Sequence, residues 1–577
     1  MRNRQSIEFL RFRYWIVVGL LLLIVLAIVL RMIYLTVIDR GFLVQQADER
    51  ILRDVPIPAY RGMILSADGI PLAVSIPVDS IWINPQEFKA DYQNIIAVSS
   101  ILKISPNALQ KLLHRNAHKL FIYIVRDINE NEGNKITALN MPGIYTEQEY
   151  HRYYPEGPIT AHVVGYTNID DAGQAGLELA YNDWLHGIPG KRSVVKDRLG
   201  NIVAVMDTIS HAKPGRNLIL SLNDRIQFLT FQVLQQTISQ YKAESGSAVV
   251  VNPKTGEILA MVNFPTFNPN KPYSPPYDRY RNRAVTDMFE PGSTMKTFSI
   301  ANALESGKFL PATEVDTNPG WFIVGDGKVR DEKNNGVINV IQILQRSSNV
   351  GVAKMNLLLP PNNLINLLQR LGFGERTASG FPGESDGVLP YKTEWRPFDY
   401  VTLTFGYGID VTTLQLAQAY TAIANQGKIC PITFLKRSQP VTCQQAMDPE
   451  LAHEMLLLLE QVVKPTIANE ESTGTQAAVP GYRVAGKTGT SYIAAGSHGY
   501  TTGHNTLFVG IAPVSDPQLV IAIIIRDPQN MIEQGGIIAA PAFSKIMAGS
   551  LRILNIPPDQ LESLNGTKTS TPFPEAN

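Results

Sequence analysis

The chain is poor in the residues that build metal centres and disulfide frameworks: of 577 residues only two are cysteine and nine are histidine. The histidines are scattered, and neither H-E-x-x-H nor a paired C-x-x-C occurs, so no metal site is expected and no cofactor is implied. Net charge is missing as well. The 51 Lys and Arg residues are matched by 51 Asp and Glu, which removes the broad basic field that nucleic acid binding requires. What remains is the composition of a folded protein long enough for two or three domains.

The exception lies at the start. Tyr14 to Leu30 carries no charge, and after Arg31 the apolar character resumes as far as Ile38. Together they suffice to cross about 30 Å of hydrocarbon, with Arg31 close enough to one end to snorkel. Arg2, Arg4, Arg11 and Arg13 precede the run, so the positive-inside rule predicts a cytoplasmic tail over 1–13, a transmembrane helix over 14–38 and everything later on the outer side. RMIYLTVIDRGF offers no small-x-small cleavage site, which favours an uncleaved anchor over a signal peptide. Cys430 and Cys443 then both face an oxidising compartment. A bond between them would close a short loop and contribute about 3 kcal/mol in the chain-entropy account. Free thiols are the alternative, since sequence does not fix the distance between them.

Residues 51–85 alternate short apolar runs with Pro and Asp-Gly turns and read as extended; 86–145 reads as largely helical; Arg152 to Asn201 reads as extended again. Residues 50–215 are thus expected to form one α+β module. Beyond it, SGSAVVVNPKTGEILAMVNFP places two apolar runs around an Asn-Pro-Lys-Thr-Gly turn, an antiparallel hairpin. NTLFVGIAPVSDPQLVIAIIIRDP repeats the pattern with near-continuous apolar strands, which suits the centre of a sheet covered on both faces. Helices dominate between the two pairs, so 220–555 is expected to be one α/β domain. Residues 560–577 read as a polar, disordered tail.

Residues 289–298 read FEPGSTMKTF. A Pro-Gly break followed by apolar residues at helical spacing predicts a helix starting near Ser293, with Ser293 and Lys296 one turn apart on a shared face. That is one way to pair a nucleophile with a base; the bland alternative is a capping serine and a solvated lysine. An exposed lysine has a pKa of about 10.4, so a base working near pH 7 needs a downward shift of about 3 units, worth about 4 to 5 kcal/mol. Burial or a second cation can supply it. Two later stretches could converge on Ser293. Ser347-Ser348-Asn349 precedes a helical apolar pattern, and Lys487-Thr488-Gly489-Thr490 lies in an extended segment where Gly489 permits close approach of the backbone to a ligand. Alone, each reads as a cap or an edge strand.

Together, in this order, the three resemble the S-x-x-K, S-D-N and K-T-G signature of penicillin-binding proteins and class A β-lactamases, with S-S-N as the middle motif here. The resemblance covers most of 55–558. RGMILSADGIPLA is similar to a segment of class B penicillin-binding proteins, although Ser66-Ala67 departs from its usual Asp-Arg. RYYPEGPITAHVVGYTNIDDAGQAGLELAYNDWLHGIPGKR, FGYGIDVTTLQLAQAYTAIANQG and GGIIAAPAFSKIM resemble further segments of that class.

The resemblance implies an antiparallel sheet flanked by helices, of the serine β-lactamase and penicillin-binding type. It also implies a preceding pedestal or dimerisation module and no cofactor. The implied activity is that of a serine D-Ala-D-Ala transpeptidase or carboxypeptidase acting on peptidoglycan stem pentapeptides of lipid II-derived strands, with β-lactams as covalent inhibitors. Ser293 would be the nucleophile, Lys296 its base, and Ser347 and Asn349 a proton relay and substrate-amide holder. Lys487 would add positive potential, Thr488, Gly489 and Thr490 would bind substrate, and the backbone N–H groups of Ser293 and Thr490 would form the oxyanion hole. Implied partners are a septal glycosyltransferase (FtsW-like), other divisome membrane proteins and the inner membrane. The wording is most like the cell-division branch; an elongation-specific transpeptidase and a non-catalytic β-lactam sensor or scaffold remain alternatives. Residues 383–387, GESDG, formally match G-x-S-x-G, but prolines on both sides predict a loop rather than the strand-to-helix elbow that motif requires.

Overall fold

The computed structural model describes residues 2–196, 202–464, 472–496, 499–529 and 534–560. The tail expected over 560–577 therefore lies, from 561 on, outside the described residues. Arg2–Ile33 is one helix, continued by a π-turn over Tyr34–Ile38, and among the described residues Arg11–Ile38 is the one stretch long and apolar enough to cross a membrane.

By their contacts the residues fall into two compact units. The first comprises 1–60, 77–151 and 187–214; the second comprises 61–76, 152–186 and 215–577. In the first unit Leu52–Ile57, Gly190–Lys196 and Ile202–Ser210 pair as an antiparallel sheet. Residues 86–145 hold three helices, Tyr92–Leu102, Pro106–Arg115 and Glu130–Ala138, but also the strand Ile122–Ile128. That strand corrects the largely helical expectation: IYIVRDI is a β-branched run that pairs along 79–83, where Ile81, Ile83, Ile122 and Ile128 join a common core with the helices.

The second unit is built on a five-stranded antiparallel sheet. Its strands are β1 (Ser245–Val251), β2 (Ile258–Phe264), β3 (Ala485–Ala494), β4 (Tyr500–Ala512) and β5 (Leu519–Arg526), in the order β2-β1-β5-β4-β3. The continuous apolar runs have a simple cause. Side chains alternate between faces, and both faces are covered. Val249, Val251, Ala522 and Ile524 enter one core; Ala248, Val250, Ile521, Ile523 and Ile525 enter the other. Helices α1 (Asp224–Tyr241) and α6 (Gly535–Ile553) pack on the second face. On the first lie α2 (Lys296–Glu305), α3 (Asn349–Leu357), α4 (Thr413–Ala424) and α5 (Pro449–Val463). Every residue of α4 is buried, which makes it the central post of the domain. The hairpins expected over 245–264 and 505–526 are both present, and K-T-G sits on the edge strand β3.

Cys430 and Cys443 are joined in a disulfide, which settles the pairing that sequence left open.

The quoted segments around Arg61, Arg152 and Glu178 serve the interior of this unit. Glu178 accepts Arg61 Nε at 2.6 Å on one oxygen and Arg152 Nε at 2.7 Å on the other, with all three side chains nearly inaccessible. Arg61 also donates to the Glu178 carbonyl, the Asp171 carbonyl and Asn182 Oδ1. Glu178→Ala strips two buried guanidinium groups of their counter-ion, and breaking such a cluster costs about 3 to 5 kcal/mol. Denaturant unfolding of the detergent-solubilised chain is expected to show a loss of that size; an unchanged midpoint would mean that water replaces the carboxylate.

Candidate active site

The Pro291-Gly292 step does what its chemistry suggests. Gly292 adopts φ +52°, its N–H donates to Gly406 O, and a Cβ there would come within 2.6 Å of Thr490 O. The chain then makes a single 3₁₀ turn over Gly292–Met295, and α2 begins at Lys296, three residues later than expected. Tyr420 on α4 holds this turn from below, its hydroxyl donating to Thr294 O at 2.9 Å and lying 2.8 Å from Thr297 Oγ1. Ser293 is thereby fixed at the wall of an open cleft of about 870 Å³.

Gly489 permits a close approach, as expected, but the neighbour is protein. A Cβ at 489 would meet Thr294 Cγ2 at 2.9 Å and Pro291 O at 3.1 Å, so glycine lets β3 press against the serine turn.

The three motifs meet at one oxygen. Ser347 Oγ accepts Lys296 Nζ at 3.1 Å and Lys487 Nζ at 3.0 Å, and Lys296 Nζ also donates to the Ser347 carbonyl. Lys296 is 1 % exposed and Lys487 0 %. Two ammonium groups sharing one hydroxyl inside a protein repel each other and lack water, so at least one must shed its proton readily. Burial brings Lys296 down to about 7, against the opposing pull of Asp331 and Glu332. Burial and the charge of Lys296 hold Lys487 well below the ordinary lysine range. The downward shift that a working base demands is therefore present at Lys296. Lys487, expected to add positive potential, sits where its charge is strongly disfavoured.

The remaining expected residues line the same cleft. Asn349 begins α3, and its Nδ2 donates to Arg330 O at 3.0 Å. Thr488 Oγ1 donates to Thr473 Oγ1 at 3.0 Å and accepts from Lys487 at 3.3 Å; Thr490 Oγ1 accepts the Gly535 N–H at the start of α6. Ser385 is elsewhere, in a loop where its Oγ accepts the Gly387 N–H and neighbouring Glu384 is tied to Thr377 and Ser379, so G-E-S-D-G is a turn rather than an elbow.

Sequence reasoning did not reach Asp331, Thr473 or Tyr420. Tyr420 lies within a segment singled out for its resemblance, but its bond to the serine turn spans 126 positions. Asp331 and Thr473 lie in loops with no motif around them, and each touches the site only through the fold.

A cleft that Ser293 lines together with Ser347, whose hydroxyl is shared by two buried lysines, holds the groups that acyl transfer with a lysine base requires. Comparison with known proteins makes the class definite. Residues 246–548 match the penicillin-binding protein transpeptidase domain, and 56–220 match the penicillin-binding protein dimerisation domain. The chain is 42 % identical over 552 residues to a probable peptidoglycan D,D-transpeptidase, PbpC, of Pseudomonas aeruginosa, covering 96 % of this chain and 97 % of that one. It is 36 % identical over 566 residues to the peptidoglycan D,D-transpeptidase FtsI of Escherichia coli, covering 97 % and 95 %. Among solved structures, penicillin-binding protein 3 of Mycobacterium tuberculosis in complex with aztreonam aligns with a TM-score of 0.69 at 26 % identity, over 87 % of this chain and 98 % of that one. The transpeptidase domain of Burkholderia pseudomallei penicillin-binding protein 3 aligns with a TM-score of 0.54 at 36 % identity, over 59 % and 97 %. This chain belongs to the class B penicillin-binding proteins, in which a dimerisation domain precedes a transpeptidase domain.

Proposed function

We propose that the chain is a peptidoglycan D,D-transpeptidase that cross-links stem peptides at the division septum, anchored by its N-terminal helix with the catalytic unit on the outer side of the inner membrane. Peptidoglycan D,D-transpeptidase is the activity named for its relatives from P. aeruginosa and E. coli. The observation that carries the chemistry is the Lys296–Ser347–Lys487 array beside Ser293 in an open cleft.

The reading assigns each atom a task. Ser293 Oγ attacks the carbonyl between the two terminal D-alanines and gives its proton to the neutral amine of Lys296. The oxyanion forms against the backbone N–H groups of Ser293 and Thr490, donors of a kind worth about 3 to 4 kcal/mol each. Ser347, bonded to both amines, passes the proton toward the leaving nitrogen. The C–N bond breaks, D-alanine departs as the amine, and an acyl-enzyme remains. An amine from a neighbouring stem then attacks, loses its proton to the same array, and frees Ser293. Thr488 and Thr490 face the terminal carboxylate, and Asn349 the substrate amide. A β-lactam mimics the donor and stays on Ser293. Residues of the first unit and the span would meet a septal glycosyltransferase and other division proteins.

The test is reconstitution. Purified full-length protein with lipid II and its cognate glycosyltransferase is expected to release D-alanine and yield cross-linked muropeptides. Acylation by penicillin without any cross-link would favour a sensor or scaffold. A fluorescent fusion is expected at mid-cell in dividing cells; side-wall label would assign the chain to elongation.

A further inference from the structure

We propose that Asp331, in the loop after the strand Gly327–Arg330, is a positioning residue of the acylation site, whose carboxylate locks the turn that keeps the Ser347 hydroxyl between the two lysines. The inference rests on the reading of Ser293 and Lys296 as nucleophile and base. Ser347 is a non-glycine residue at φ +55°, a left-handed conformation that persists only where its surroundings enforce it. Its flanks are tied down. Asp331 Oδ2 accepts the Ser348 hydroxyl at 2.6 Å and Asn335 Nδ2 at 2.9 Å, while Oδ1 accepts the Val350 N–H at 2.9 Å. Ser348 Oγ in turn accepts the Gly351 N–H and so caps α3, and Ser348 N–H donates to Ile343 O. The Asp331 loop is itself anchored by its N–H on Gly320 O, and its neighbour Arg330 offers its carbonyl to Asn349. One carboxylate thus grips the first turn of α3 immediately beyond Ser347, and Ser347 directs both its hydroxyl and its carbonyl at Lys296.

The same carboxylate acts by charge. The groups facing Lys296 are Lys487 from β3 and Asp331 and Glu332 from this loop, with Arg330, Lys333 and Arg346 on the cleft wall. Charges on the adjoining helices are engaged with other partners: Lys354 of α3 with Asp316 O, Glu460 of α5 with Arg483 and Lys464, and Glu305 of α2 with Arg370. Asp331 favours the protonated amine of Lys296, opposing burial.

The experiment is the second-order rate of benzylpenicillin acylation of full-length protein across pH, with thermal midpoints in parallel. Asp331→Ala is expected to slow acylation about 10- to 100-fold. Asp331→Asn keeps the two contacts to α3, its amide oxygen accepting from Val350 and its amide N–H donating to Ser348 Oγ, and gives up only the one accepted from Asn335, so most of the rate returns. It lacks the charge, however, so the limb on which rate falls with acidity moves to lower pH, by about 0.5 unit or more. A residue with only a structural role would not move that limb. Ser348→Ala breaks the grip from the other side and is expected to slow acylation as well, which keeps the test open if Asp331→Ala does not fold. Wild-type rates in both alanine variants, or an Asp331→Asn limb at the wild-type pH, would overturn the proposal.

Discussion

Ser293→Ala protein soaked in benzylpenicillin is expected to gain no mass, where the wild type gains one drug equivalent per chain. Removing the nucleophile of a comparable serine apparatus lowers the rate by about 10⁴-fold or more, which takes acylation below detection in any ordinary incubation. The fold should survive. Ser293 is half-buried at the cleft wall, whereas the bonds that shape its turn come from Gly292, Thr294 and Tyr420. A matched thermal midpoint would therefore separate lost chemistry from lost structure. Ser385→Ala serves as the control and is expected to label like the wild type, because its hydroxyl only stabilises a local turn. The reverse outcome, labelling kept by Ser293→Ala and lost by Ser385→Ala, would move the nucleophile to another loop and end the assignment.

How much of this was legible beforehand follows from the range over which each feature is encoded. The strands at 245–264 and 505–526 were legible because a strand buried on both faces is apolar at every position, a property visible within a few residues. Ser293, Lys296, Ser347 and Lys487 were legible because three local motifs occur together in one order. Nothing local marks Arg61, Arg152 and Glu178 as interior. They are charged residues that read as surface until the chain brings positions 117 and 26 apart into one cluster. Asp331 belongs to the same class, since its partners are a hydroxyl and a backbone N–H whose place depends on how α3 starts. The positive potential expected of Lys487 likewise meets a burial that disfavours its charge and that no motif records.

Lys296→Met is expected to trade activity for stability. A methionine fills much the same volume but carries no proton, so acylation should fall by about 10² to 10⁴-fold, the usual contribution of a general base. The neutral amine of Lys296, the proposed base, is the form expected to act in the wild type. With Lys296 near 7, the acylation rate should level off above neutral pH and drop about tenfold for each unit below it. The stability argument runs from the same shift. An unfolded lysine holds its proton up to about 10.4, whereas the folded Lys296 releases it near 7, so between these values the unfolded chain binds more protons. Stability contributed at this site therefore rises with pH through that window and is lost as pH falls toward 7, by about 1.4 kcal/mol per unit. Lys296→Met removes that dependence. Its thermal midpoint should exceed the wild-type value near pH 7, and the gap should narrow steadily toward pH 10. Should the gap stay constant across the window, Lys296 would be charged in the folded protein, and the proton of Ser293 would have to leave by way of Lys487 instead.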